Sequence, residues 1–205
     1  MLFLNEYRTI DSVANGEFRD KGSLFLGWAI PVKSELEIKK QIDTIRKDHP
    51  KANHHCFAFA MGPGHQAYRF SDDREPSGTA GRPIMGVLRS ADLTDVLIVV
   101  VRYFGGTLLG VQGLINAYRT AAELALANAT IITIPITEKY RISHPYSRTG
   151  EIEYLLKKSG CRVLERIQTE ICQILVEVPR ENSLQFYETL KNGHPFSLDC
   201  IIDRA

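Results

Sequence analysis

The feature that most constrains the fold is the stretch from Asp95 to Asn128, where an apolar run, a glycine-rich turn and an amphipathic segment follow one another. Asp95 to Val101 is short, almost wholly apolar and rich in Val and Ile, which is typical of a strand buried on both faces. From Gly113 onward, apolar residues recur at helical spacing. The stretch therefore predicts a buried strand, a tight turn and a helix.

The turn within this stretch carries groups that are typical of a ligand site. Arg102 and Tyr103 follow the apolar run, and Gly105, Gly106 and Gly110 come next. Glycine permits positive φ angles and a close approach of a ligand to the backbone. A buried arginine must be paired, because an isolated charge is costly away from water. We therefore expect Arg102 either to bind a ligand or to form an internal ion pair.

A second stretch, Ser71 to Pro83, places acidic residues and then small residues before an amphipathic segment. The acidic residues are Asp72, Asp73 and Glu75, and the small ones are Ser77, Gly78, Thr79, Ala80 and Gly81. Small residues at the start of a helix expose backbone N–H groups that bind anions. Two interpretations are open: a phosphate or carboxylate site, with the acidic residues orienting a basic group or a metal, and a capped helix after an acidic turn.

Asp73 or Glu75 is the simplest partner for Arg102, so we expect the two turns to meet and form a cleft. In a ligand site, Arg102 and the backbone amides would bind an anion, and Asp73 or Glu75 would act as acid, base or metal ligand. A hydrolase or peptidase with Cys56 or Ser77 as nucleophile is the weaker alternative, because the sequence places no general base beside either.

The segment from Ala52 to Phe70 predicts a β-hairpin. On a strand, His54 and Cys56 share one face. A nucleophilic pair of these two residues, or a metal site that adds His65, competes with a buried cysteine beside half-buried histidines. The segment lacks the close CxxC or HxxxH pairs of metal sites, which favours the structural interpretation. We expect no metal and no cofactor.

The flanking segments predict further elements. Tyr7–Ile10 and Gly22–Ile30 have strand patterns joined by a turn at Asn15-Gly16, and Ser34 is the predicted cap of a helix. After residue 135 the pattern is strand, helix, strand, strand, helix, strand: Glu138–Ser143, Ser147–Ser159, Cys161–Ile167, Ile171–Val178, Asn182–Lys191 and Phe196–Ile202. This βαββαβ order is ferredoxin-like. We therefore predict domains at residues 1–135 and 136–205.

Composition narrows the classes of partner. The 205 residues carry a formal net charge of +1, so no global field recruits duplex DNA or an anionic membrane. No apolar run approaches the roughly 20 residues of a membrane span, and the N-terminus lacks the apolar region of a signal peptide. The four widely spaced cysteines suggest no disulfide framework. We expect a cytoplasmic protein.

Taken together, these motifs resemble the YigZ/IMPACT family, and in particular its bacterial two-domain members. The resemblance is carried by Asp72-Asp73-x-Glu75-Pro76-Ser77-Gly78-Thr79-Ala80-Gly81, by Arg102-Tyr103-Phe104-Gly105-Gly106, and by the shorter Lys21-x-Ser23-x-Phe25 and Ala52-x-His54-x-Cys56. It spans Lys21 to about Tyr118.

The resemblance implies an α+β protein. Its N-terminal domain would have the fold of domain 2 of ribosomal protein S5, also seen in domain IV of elongation factor G. Its C-terminal ferredoxin-like domain would be similar to domain V of that factor. The resemblance implies no known reaction. Eukaryotic members are similar over the N-terminal domain and regulate translation under amino-acid starvation through a separate RWD domain, which we do not expect here because the first predicted strand begins at Tyr7.

Two hypotheses of function follow. The first is a translation-linked, non-catalytic binding protein that engages RNA, the ribosome or a translation factor. The second is an enzyme or sensor that binds a small phosphorylated or carboxylate ligand in the cleft. The candidate ligand residues are Ser77, Gly78, Thr79, Ala80, Gly81, Arg102, Tyr103, Gly105, Gly106 and Gly110, with Asp72, Asp73 and Glu75 as acidic partners and Lys21, Ser23, His54 and Cys56 as secondary candidates.

Overall fold

In this computed structural model, residues 4–191 are described, together with the backbone of residues 197–201. The chain divides into two compact units: Tyr7–Ile134, and the described residues on either side of that range. The fold is mixed α+β, as predicted. Among the described helices, none is both long enough and apolar enough to cross a membrane.

The first unit is built on an antiparallel sheet. Its elements are β1 (Glu6–Ile10), β2 (Ala14–Asp20), β3 (Ser23–Pro31), α1 (Glu35–Asp48), β4 (His54–Met61), β5 (Ala67–Ser71), α2 (Gly81–Ser90), β6 (Val96–Tyr103), α3 (Gly110–Ala127) and β7 (Ile131–Pro135). Five strands form the sheet in the order β2-β3-β6-β4-β5, and β1 pairs with β7 separately. Ser34 caps α1 as predicted, its Oγ accepting a hydrogen bond from the Glu37 N–H at 3.2 Å.

The central strand β6 is buried on both faces, which confirms the prediction from its unbroken apolar sequence. Val96, Ile98 and Val100 pack with the residues of α2 and α3, whereas Leu97 and Val99 pack with those of α1. Strand alternation alone explains the division, because successive side chains point to opposite faces. The same alternation carries beyond Val100 and determines where the next residues point.

Helix α3 lies unusually close to β2 and β3, and two glycines make this possible. A Cβ at Gly27 would lie 2.6 Å from the Ala121 carbonyl oxygen, and one at Gly16 would lie 2.6 Å from the Ala125 nitrogen. Real Cβ atoms essentially never come so close to another atom. The close packing of α3 on the sheet therefore requires glycine at both strand positions.

The predicted turn at Asn15-Gly16 is wrong. Both residues lie within β2, paired with Trp28 and Gly27 of β3. The chain reverses instead at Lys21 and Gly22, whose φ angles are 43° and 81°. Gly16 gives the sequence signal of a turn, but its role is to let α3 approach the sheet.

The second unit contains the predicted ferredoxin-like order. Its elements are β8 (Thr137–Pro145), α4 (Thr149–Ser159), β9 (Arg162–Ile167), β10 (Ile171–Pro179), α5 (Arg180–Lys191) and β11 (Ser197–Ile201). The strands form an antiparallel sheet in the order β11-β8-β10-β9. Phe196 and Ile202, the predicted ends of the last strand, lie outside the described residues.

Glu138 connects β8 to α5 within this unit. Its carboxylate accepts hydrogen bonds from the Tyr140 hydroxyl at 2.9 Å and from the Ser183 hydroxyl, and it lies 3.3 Å from the Arg180 Nε. Burial acts to raise the pKa of Glu138, but the hydrogen bonds and Arg180 outweigh it, so the pKa is lowered below its ordinary 4.5. A carboxylate of this kind stabilises the folded state above its ordinary pKa and loses that effect as the pH falls through the lowered value.

We expect Gly27→Ala to lower the free energy of unfolding, because the added Cβ would collide with the backbone of α3. Overpacking of this kind typically costs about 1–3 kcal/mol. Gly86→Ala is the matched control, since a Cβ there meets nothing within 4 Å and alanine is favoured over glycine in a helix by about 1 kcal/mol. Urea unfolding measures both variants, and equal stabilities would contradict the packing argument.

We expect Glu138→Gln to make the second unit less dependent on pH. In the wild type, the opening free energy of the β8 and α5 amides should fall as the pH drops below 4.5 towards the lowered pKa of Glu138. The variant should be less protected at neutral pH and show a smaller fall in acid. Native-state hydrogen exchange measures this, with the exposed Glu170→Gln as control, and an unchanged acid response would refute the role of Glu138.

Candidate functional site

The end of β6 places three side chains in one row across the sheet. Arg102 pairs with Phe25 of β3 on one side and with His54 of β4 on the other. Arg102 also shares the face of Val100, two residues earlier, which is the face covered by α2 and α3. The alternation of β6 therefore directs Arg102 towards the acidic turn, residues 72–80, that leads into α2.

Arg102 forms a buried ion pair with Glu75. Its Nη1 donates to Glu75 Oε1 at 2.6 Å, and the two residues are only 5% and 8% exposed. The Tyr118 hydroxyl donates to the same oxygen at 2.7 Å, and the His54 Nε2 lies 3.7 Å from it. Of the two partners predicted for Arg102, Glu75 is the one that pairs, and the two turns meet here.

The surroundings keep Tyr118 protonated. Burial is the main cause that raises the pKa of its phenol, and the neighbouring Cys56 and Glu75 raise it further. Tyr118 is therefore a hydrogen-bond donor to the carboxylate rather than a base. Its position at helical spacing predicts burial, but nothing in the sequence indicated that its hydroxyl would bond to Glu75.

Two aromatic rings hold the guanidinium of Arg102 in place. Its Cζ lies 5.4 Å from the Phe25 ring centre and 5.5 Å from that of Phe104, within the range of cation–π contacts. Its Nε is buried and has no hydrogen-bond partner among the described residues. The ion pair and the two rings thus fix the orientation of the side chain.

The N-terminus of α2 is occupied by the chain's own carboxylate. Asp72 Oδ1 accepts from the N–H groups of Ala80 at 3.0 Å and Gly81 at 2.8 Å, and Oδ2 accepts from Gly78 at 2.9 Å. Thr79 is buried, and its hydroxyl donates to the Pro76 carbonyl. For these residues the geometry fits the capped helix rather than the anion site, because an external anion would have to displace Asp72.

Asp73 binds the acidic turn to β4 instead of facing a ligand. Its carboxylate accepts from the His55 N–H at 2.7 Å, and its carbonyl oxygen accepts from the Nδ1 of His54 at 2.8 Å. Asp73 and Arg74 have φ angles of 38° and 71°, so two left-handed residues make the turn tight. The tightness of the turn brings Glu75 over the end of β6.

The nucleophilic and metal-binding alternatives that the sequence left open for Cys56 have no support in its geometry. Cys56 is wholly buried, and its thiol donates to the Asp72 carbonyl at 3.0 Å. Burial, followed by the nearby carboxylates, raises the pKa of the thiol, which opposes a thiolate. His54 bonds to Asp73 rather than Cys56, and His65 bonds to the Leu93 carbonyl. Within the described ranges, no three His, Cys, Asp or Glu residues are grouped as metal ligands.

The glycines after β6 have different roles. Gly105 donates its N–H to the Ser23 Oγ at 3.2 Å, and a Cβ at Gly105 would lie 1.9 Å from the carbonyl carbon of Gly22. Gly105 is thus required for contact between two turns of the protein, not for contact with a ligand. Gly106 and Gly110 have φ angles of 85° and 71° and open space around them.

A groove of about 450 Å³ lies beside the ion pair. Its polar walls are Asn53, His54, Glu75 and Arg102, and its apolar walls are Pro76, Phe104, Leu108, Leu109, Val111 and Leu114. Leu108, Val111 and Phe104 are 83%, 62% and 44% exposed, which is unusual for apolar side chains on one small surface.

The groove contains only part of the predicted site. Glu75, Arg102, His54 and Gly110 line it. The predicted residues that do not line it are Lys21, Ser23, Cys56, Asp72, Asp73, Ser77, Gly78, Thr79, Ala80, Gly81, Tyr103, Gly105 and Gly106. Tyr103 points to the α1 side of the sheet, where its hydroxyl bonds to the Nδ1 of His49 at 2.8 Å. The apolar rim was not predicted, because Leu108 and Val111 resemble the ordinary apolar positions of a helix start.

Comparison with known proteins identifies relatives over most of the chain. Residues 21–126 match the family model described as the Impact N-terminal domain. The IMPACT family member YvyE of Bacillus subtilis (strain 168) is 35% identical over 93% of this chain and 89% of its own length. The IMPACT family member YigZ of Escherichia coli (strain K12) is 34% identical over 80% of this chain and 81% of its own.

A solved structure titled "Crystal structure of an hypothetical protein" is also similar. It covers 98% of this chain and 100% of its own, with a TM-score of 0.75 and 27% sequence identity. The resemblance therefore extends through both units of the chain.

We expect Glu75→Ala to lower the free energy of unfolding by about 3–5 kcal/mol, because Arg102 would remain buried without its partner. Tyr118→Phe removes one hydrogen bond to a charged group and should cost about 1.5–3 kcal/mol. Both contacts share Glu75 Oε1, so Tyr118→Phe should cost less when Glu75 is already alanine. Urea unfolding of the four proteins tests this, and a Glu75→Ala variant of wild-type stability would exclude a structural role for the pair.

Proposed function

This chain belongs to the IMPACT family, and we propose that it is a translation-linked, non-catalytic binding protein. It engages a protein surface of the ribosome or of a translation factor through the groove beside Glu75 and Arg102. Membership of a family whose eukaryotic members regulate translation supports the translation link. The similarity to domains of ribosomal protein S5 and elongation factor G that the sequence resemblance implies is in line with this link.

The observation that carries the proposal is the apolar rim of the groove. Leu108 is 83% exposed, and Val111 and Phe104 stand exposed on the same groove. Grouped apolar side chains on a protein surface mark interaction sites, because their burial against a partner is favourable. The buried core of such an interface is apolar and poor in net charge. The groove fits this description, because its apolar side chains surround an ion pair whose two charges balance each other.

The polar groups in and behind the groove favour binding over catalysis. A catalytic acid or base must exchange a proton with its substrate. Here Glu75 is held by Arg102 and Tyr118, and Tyr118 remains protonated. The thiol of Cys56 is wholly buried. A small anion is the less supported ligand, since Asp72 engages the helix amides and Glu75 engages the guanidinium.

We expect the protein to co-sediment with ribosomes, or with a translation factor bound to them, and Leu108→Ser to weaken this binding about tenfold. A tenfold change corresponds to about 1.4 kcal/mol, as expected for a central apolar interface residue. Leu36→Ser is the matched control, because Leu36 is a 79% exposed leucine of α1 that does not line the groove.

Two outcomes would contradict the proposal. Equal binding by Leu108→Ser and Leu36→Ser would exclude the groove as the binding surface. Repeating the sedimentation at low and high salt separates apolar from phosphate contacts, because binding to phosphates falls steeply with salt whereas apolar contacts do not. A steep fall would indicate RNA rather than a protein surface.

A further inference from the structure

We propose that the free edge of β5 (Ala67–Ser71) binds an extended segment of a partner protein. The segment pairs with β5 as a further strand of the sheet and places a carboxylate side chain opposite Arg69. This surface is separate from the one in the proposed function, because no residue of β5 lines the groove beside Glu75 and Arg102.

The position of β5 in the sheet determines the kind of occupant. β5 is the last strand at one edge and pairs with β4 on one side. Among the described residues, no strand pairs with its other side. An edge strand presents a row of backbone N–H and C=O groups at strand spacing, and another strand is the structure that matches such a row. The edge of β5 therefore favours an extended backbone over a helix or a nucleic acid.

Exposed aromatic side chains distinguish β5 from β2, the strand at the other edge. Tyr68 and Phe70 are 55% and 38% exposed, and no other large apolar side chain in the described strands of this sheet is as exposed. Both point to the α2 face, where the Arg89 Cζ lies 4.9 Å from the centre of the Tyr68 ring. Apolar residues of an added strand would cover the two rings, because cross-strand pairs of aromatic and β-branched residues are favourable.

The opposite face of β5 is open as well. A cleft of about 440 Å³ lies between α1 and this end of the sheet, and Arg69 and Ser71 line it. No residue of β5 packs with the core beside α1, because the helix covers the strands next to β5 instead. Within the first unit, neither α1 nor α2 therefore obstructs the side chains of an added strand.

Arg69 gives the added strand a preference in charge. Arg69 is exposed and forms no ion pair or hydrogen bond with another described side chain. The other charged side chains around the cleft belong to α1 and balance one another in sign: Glu35, Lys39, Asp43 and Arg46. Opposite charges that face each other across a strand pair are favourable. A segment with a carboxylate opposite Arg69 is therefore preferred to a neutral or basic one.

The same arginine disfavours a second copy of this chain as the occupant. Arg69 is the central residue of the five in β5. Two copies of β5 that paired along their whole length would therefore place their Arg69 side chains directly opposite each other, in either strand direction. Like charges in this position destabilise a strand pair. The edge is thus protected against self-association but open to an acidic segment.

Nuclear magnetic resonance of the backbone amides in the full-length protein tests the proposal. The probe is the palindromic peptide acetyl-Thr-Val-Glu-Val-Thr-amide, which in either strand direction places its glutamate opposite Arg69 and its valines opposite Tyr68 and Phe70. We expect the amide signals of β5 to shift to saturation as the peptide is added. The signals of β2, the strand at the other edge, should not shift.

Two N-methylated forms of the peptide separate strand pairing from side-chain contact. One form carries its methyl groups on the nitrogens of both valines, and the other on those of the glutamate and both threonines. Alternate residues of a strand direct their N–H groups to opposite edges, so the methyl groups block pairing in one form and face away from β5 in the other. We expect one form to bind like the parent peptide and the other to bind at least about tenfold more weakly, because it loses backbone hydrogen bonds.

Exchange of charge tests the role of Arg69. Arg69→Glu should weaken binding of the glutamate peptide several-fold and strengthen binding of acetyl-Thr-Val-Lys-Val-Thr-amide. Arg119→Glu is the matched control, because Arg119 is an exposed arginine of α3 outside the proposed surface, and it should change neither affinity.

Four results would overturn the proposal. They are the absence of any shift in the β5 signals, a shift of the β2 signals in their place, equal binding by the two methylated forms, and an affinity for the glutamate peptide that Arg69→Glu leaves unchanged.

Discussion

The arrangement of the first unit depends on a single carboxylate oxygen. Glu75 Oε1 receives the guanidinium of Arg102 from β6 and the hydroxyl of Tyr118 from α3, and it lies near His54 of β4. Taking this pair out of water is costly, and only close contacts on both partners offset the cost. The carboxylate therefore joins the central strand, the long helix and the turn before α2 at one point.

Carboxylates of the chain itself occupy the positions where an anionic ligand was expected to bind. Asp72 satisfies the amides at the start of α2, and Glu75, three residues later, neutralises Arg102. In the sequence, the start of α2 and Arg102 both indicated an anion-binding site. In the structure, a carboxylate of the chain itself occupies each of them. What remains available to a partner is the apolar rim formed by Leu108 and Val111.

The sequence predicted correctly those parts of the fold in which a local residue pattern is compatible with only one kind of structure. The unbroken apolar run of β6 and the βαββαβ order are of this kind. Charge alone suggested that Arg102 pairs with Asp73 or Glu75, and could not choose between the two. Gly16 was misassigned because a glycine for a turn and a glycine beneath a helix look alike in sequence. The bond from Tyr118 to Glu75 joins residues 43 positions apart, and helical periodicity carries no information about a hydroxyl.

The site has a part whose residues cannot be exchanged, where Gly105 contacts Gly22, and a part whose side chains can be exchanged. A side chain at Gly105 would force apart the turns that hold Ser23 and Phe104, so the frame around the guanidinium tolerates no variation there. Leu108 and Val111, by contrast, are largely exposed to solvent. Exchange of these two side chains would therefore change the surface offered to a partner while the backbone that presents them stays the same.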